Sequence, residues 1–70
     1  MNKEHFVEKG QYLIDELAKV LSGNSFMMDE KNTELFVEYR DEFYKLKDSD
    51  DWMPGLIYTT NRLARLYNSL

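Results

Sequence analysis

His5 stands between Glu4 and Glu8 near the start of the chain, the one grouping that hints at metal binding or proton exchange. Three residues apart on a helix, His5 and Glu8 share a face. A metal held in a helical bundle draws further ligands from other helices. The chain has no cysteine and no second histidine, so those ligands would all be carboxylates, and the spacing does not arrange them. No metal or cofactor is expected. Nucleophilic catalysis needs a positioned base beside a hydroxyl or thiol, whereas Ser22, Ser25, Ser49 and Ser69 fall at predicted loops, caps or the terminus. Thirteen acidic residues offer many carboxylate pairs, yet a helical chain of this length has little room for a substrate cleft. An enzyme is not expected.

The carboxylates make a different pattern. Glu34, Glu38 and Glu42 recur every fourth residue, Asp41 lies beside them, and Asp48, Asp50 and Asp51 follow. Like charges at this spacing repel by a few tenths of a kcal/mol per pair. A functional reading is that they meet a basic surface on a partner protein and speed the encounter, one version being mimicry of DNA phosphates. The plainer reading is a solvated face partly neutralised by Lys31, Arg40, Lys45 and Lys47. The aromatics are a second resource: one Trp, five Tyr and four Phe exceed what so small a core needs. Tyr12, Tyr44 and Tyr58 fall off the apolar stripes described below and are expected to be partly exposed. Tyrosine and arginine carry binding energy at protein interfaces. The candidate contact residues are therefore Tyr12, Glu34, Glu38, Asp41, Glu42, Tyr44, Tyr58, Arg62 and Arg65.

Tyr58-Thr59-Thr60-Asn61-Arg62-Leu63-Ala64-Arg65 has the mixture that a recognition helix carries into a DNA groove. Such helices are supported by surrounding phosphate-binding bases, but here the preceding segment is the Asp48 to Asp51 cluster, so nucleic-acid binding is a minor alternative. Pro54-Gly55-Leu56-Ile57 followed by Asn61-Arg62-Leu63 resembles a helix of the helical-bundle immunity proteins that protect bacteriocin producers. The resemblance covers under a third of the chain. It implies a helical bundle and an immunity function as an alternative, and it carries over no functional residues.

These side chains must be positioned by helices. Phe6, Gly10, Leu13, Ile14, Leu17, Val20 and Leu21 keep the spacing of one helical face and predict a helix over 3–22. Asn2 is suited to cap its start, and Gly23 to end it in the left-handed conformation. Gly10 lies on the apolar stripe, where glycine costs about 1 kcal/mol relative to alanine. A close crossing by a large side chain would explain it, with Trp52 the expected neighbour. Phe26, Met27 and Met28 predict a docked turn within 25–30, a fourth helix if it lengthens. Leu35, Phe36, Tyr39, Phe43 and Leu46 predict a second helix over 33–47, capped by Asn32 or Asp29, with Lys45 and Lys47 at its negative end. A third helix is expected from the aspartate cluster, with Pro54 in its first turn and Met53, Leu56, Ile57, Thr60, Leu63, Ala64, Tyr67 and Leu70 on its apolar face.

Seventy residues make one domain over 1–70, an all-α up-down-up three-helix bundle. Neither a disulfide nor a zinc site is available to reinforce so small a core, which makes a homodimeric structural module a second possibility. No apolar run reaches the roughly 20 residues that span a bilayer, and the lack of cysteine suits a reducing compartment, so a cytoplasmic location is expected. The net charge is −4. From Asp29 to Asp51 nine acids stand against four bases, whereas from Trp52 onward the only charges are Arg62 and Arg65. The leading expectation is a non-enzymatic adaptor or inhibitor, in the style of small bacterial and phage regulators, that docks a helical face on another protein.

Overall fold

The computed structural model describes residues 2–23 and 27–70. They form three helices, α1 (Lys3–Gly23), α2 (Glu30–Lys47) and α3 (Gly55–Asn68), with no strand among the described residues. Lys3 donates from Nζ to the Ser49 carbonyl at 3.3 Å and Gly10 lies against Phe43, so α1 and α2 are antiparallel. Gly55 approaches Leu46, while Asn32 and Ser69 line one groove at the other end, so α2 and α3 are antiparallel too. The result is the expected up-down-up bundle, 37 × 17 × 17 Å along its principal axes. The third helix packs extensively against both α1 and α2, which meet each other more narrowly.

Local chemistry sets the helix boundaries. Asn2 Oδ1 accepts from the Glu4 N–H at 3.0 Å, satisfying a donor that the first turn leaves without a helical acceptor. Asp29 rather than Asn32 caps α2: its Oδ1 accepts from the Asn32 N–H at 2.8 Å, and the helix begins at Glu30, three residues before the expected Thr33. The end of α1 differs from expectation. No described glycine has positive φ, and Gly23 is itself the last helical residue. The third helix also starts later than expected. Pro54 occupies the cap position and Gly55 is the first helical residue, after the Leu56 N–H has closed a turn onto the Trp52 carbonyl at 2.8 Å.

The core joins Leu13, Ile14 and Leu17 of α1, Met28 of the connection, Phe36 and Phe43 of α2, and Leu56, Leu63 and Leu66 of α3. The neighbour of Gly10 is Phe43, not Trp52: a Cβ at Gly10 would stand 2.8 Å from Phe43 Cδ1 and 2.9 Å from Cζ, closer still to Cε1. Glycine is needed because the fully buried Phe43 ring occupies the place of a side chain. Trp52 packs instead near Phe6, ring centroids 6.4 Å apart and tilted by 39°. The apolar face of α3 is broader than its leucine spacing suggested, since Thr59 and Leu66 are buried with Thr60, while Met53 is exposed. A helix packed against two neighbours buries two adjoining arcs. In the connection between α1 and α2, Met28 is buried and Met27 exposed; Asn24, Ser25 and Phe26, on which part of the expected docked turn falls, lie outside the described residues.

Candidate functional site

The antiparallel pairing of α2 with α3 leaves a groove between them of about 370 Å³, lined by Asn32, Leu35 and Tyr39 from α2, by Arg62, Arg65 and Leu66 from α3, and by Ser69 at the C-terminal cap of α3. An adjoining hollow of about 260 Å³ lies among Tyr58, Asn61, Arg62 and Arg65. The two arginines form the ridge between them. Residues 58, 61, 62 and 65 keep the three-and-four spacing of one helical face, opposite the buried arc of Leu56, Thr59, Thr60, Leu63 and Leu66. Tyr58 is 55% exposed, and Arg62 and Arg65 are exposed. Among the described residues neither arginine belongs to an ion pair, the salt bridges there being Lys19–Glu16 and Arg40–Asp41.

The remaining candidates lie elsewhere and are engaged differently. Glu34, Glu38 and Glu42 are exposed on the side of α2 away from buried Phe36 and Phe43. Asp41 accepts both Nε and Nη2 of Arg40, at 3.2 and 3.1 Å, so its charge is locally answered. Tyr44 has a structural task. Its hydroxyl accepts from Gln11 Nε2 at 3.1 Å, which ties α2 to α1, while within α2 its ring meets Phe43 edge-on and Lys47 lies 5.5 Å over it. Tyr12 is 57% exposed on α1. The Glu16 carboxylate one turn on holds the Tyr12 phenol neutral to higher pH than usual, with a smaller contribution from Tyr67. Thus the structure brings Tyr58, Arg62 and Arg65 together and leaves Tyr12 and Tyr44 outside that group.

Leu35, Tyr39 and Leu66 complete the groove although none stood among the candidate contacts. Leu35 and Tyr39 belong to the predicted α2 stripe, and both are only partly buried, because the edge of the stripe nearest α3 remains open along the groove. Asn61 was legible only as part of the polar stretch 58–65. Of that stretch, Thr59 and Thr60 point into the core, so the outward set is reduced to Tyr58, Asn61, Arg62 and Arg65. Among the described residues, no three histidine, cysteine or acidic side chains are placed to share a metal ion, and no helix is long and apolar enough to cross a membrane. No protein family, curated protein or solved structure matches the chain.

Proposed function

We propose that this protein is a non-enzymatic protein-binding module that docks its α2/α3 face on a partner, acting in the cytoplasm as an adaptor or inhibitor. The observation that carries this reading is the pair Arg62 and Arg65. They are exposed, without an ion-pair partner among the described residues, and set between an aromatic hollow and a groove. In a chain with thirteen acids to nine bases, cations left unanswered by their own molecule are available to carboxylates of another. Arginine combines directional hydrogen bonding with a weakly hydrated planar charge, and Tyr58 adds area at small entropic cost. The partly buried Leu35 and Tyr39 supply apolar surface beside them. The outer acids Glu34, Glu38 and Glu42 suit basic side chains of the same partner.

Site-specific photocrosslinking tests the reading. A photoreactive residue at Asn61 is expected to give covalent adducts with protein in the native cell, and one at exposed Glu8 of α1 to give none. Adducts at Glu8 alone, or nucleic acid in place of protein at Asn61, would overturn it.

A further inference from the structure

We propose, building on the protein-binding reading, that the occupant of the α2/α3 face is a short acidic amphipathic helix of a partner protein, with two carboxylates one turn apart beside apolar side chains. The groove and the hollow next to it are lined by Arg62 and Arg65 and by no aspartate or glutamate. In a chain with thirteen acids and nine bases, this face therefore carries the charge opposite to that of the protein as a whole. Both arginines are exposed, and among the described residues neither is held in an ion pair.

The spacing of the lining residues selects the occupant. Arg62 and Arg65 stand three residues apart on one helix, so their side chains start about 5–6 Å from each other. Each guanidinium presents a planar fork of donors that fits one carboxylate. Two acidic residues three or four positions apart on a partner helix repeat the same separation and answer both. Leu35, Tyr39 and Leu66 supply the apolar part of the groove, which leucine or aromatic side chains on the same face of that helix would cover, as in other helix-in-groove contacts. A nucleic acid also supplies anions, but in a long array. A duplex extends well beyond the groove and would meet the rest of a molecule of net charge −4, including exposed Asp50 and Asp51 ahead of α3. Two arginines are few cations to offset that repulsion. A segment confined to the groove touches its lining residues alone, none of them acidic.

Selection from displayed random peptides provides the test. Peptides of about twelve residues, some three helical turns, are selected against the full chain, and the enriched sequences are synthesised and measured by fluorescence anisotropy. Enrichment is expected for sequences with two aspartates or glutamates three or four residues apart and leucine or aromatic residues among them. Their binding should weaken at least about tenfold in Arg62→Glu/Arg65→Glu. It should change by less than about twofold in Lys9→Glu/Lys19→Glu, which alters the net charge equally but on α1. All four positions are exposed, and circular dichroism checks that each variant is folded. No enrichment above background, enrichment of basic or uncharged sequences, or equal loss in the two variants overturns the proposal. So does a short DNA duplex that binds through Arg62 and Arg65 while no acidic peptide does. If the peptides fail while Asn61 still crosslinks to a protein in the native cell, the protein-binding reading stands with a partner of other chemistry. Failure of both experiments removes both readings.

Discussion

Gly10→Ala places a methyl group where the structure has an aromatic ring. The added Cβ would lie 2.8 and 2.9 Å from Phe43 Cδ1 and Cζ, with Cε1 closer, against the roughly 3.5–4.0 Å at which carbon atoms rest. Phe43 is fully buried and its ring abuts Tyr44, so it has nowhere to retreat without moving α2. Two effects compete. Alanine is favoured over glycine inside a helix by about 1 kcal/mol, whereas overpacking a tight core costs about 1–3 kcal/mol. The depth of overlap with a rigid ring puts the cost near the upper end of that range. The expected net loss is about 2 kcal/mol, or roughly 8–16 °C in Tm for a domain of this size. Thermal and urea unfolding followed by circular dichroism measure it. Gly23→Ala is the control, because none of the described residues lies within 4 Å of the added Cβ; it should stabilise by about 0.5 kcal/mol. Phe43→Leu completes the cycle. It should cost less when combined with Gly10→Ala than when made in the unaltered chain, a coupling of at least about 1 kcal/mol. A rise in Tm for Gly10→Ala, or strict additivity of the two changes, would refute the steric reasoning.

The Thr60 hydroxyl is buried and has no hydrogen-bond partner among the described residues; Thr60→Val, similar in shape, should raise stability to urea by about 1 kcal/mol. Asp29→Ala should cost about 1 kcal/mol by removing the α2 cap, while Asn32→Ala, whose side chain is not the cap, should stay within about 0.5 kcal/mol in the same urea assay. The Tyr12 phenol should ionise above the ordinary tyrosine range, because its anion would face the Glu16 carboxylate. Glu16→Gln removes that charge and should move the ionisation downward; ring resonances of labelled Tyr12 followed by NMR against pH report it, and an unchanged or upward midpoint would contradict the assignment.

The helices are legible in the sequence where one face meets one neighbourhood. Gly10, Leu13, Ile14 and Leu17 repeat at helical spacing and are the buried residues of α1; Asn2 and Asp29 are capping residue types in the right places. The third helix was less legible because it serves two neighbours. Thr59 and Leu66 fill the added arc, and a single-stripe pattern does not contain it. The reason for Gly10 was readable as a close crossing, but the identity of the ring depended on the register of α1 against α2. For the same reason Tyr44 read as a spare aromatic although it accepts a hydrogen bond from Gln11 across that contact. Tyr58, Arg62 and Arg65 were readable as polar and aromatic residues left over from packing. The groove beside them was not readable, since Leu35 and Tyr39 look like core until the placement of α3 leaves their edge open.

The most direct measurement is of the contact face itself. Backbone amide and arginine Nε resonances of the labelled protein can be followed by NMR as an extract of the native cell is added. Shifts should gather at Asn32, Leu35 and Tyr39 on α2, at Tyr58, Asn61, Arg62 and Arg65 on α3 and at Ser69 at its cap, with the surroundings of Tyr12 and Glu8 unchanged. Shifts centred on Tyr12 and the outer side of α1, or spectra that the extract does not change, would contradict the α2/α3 face as the place where a partner docks.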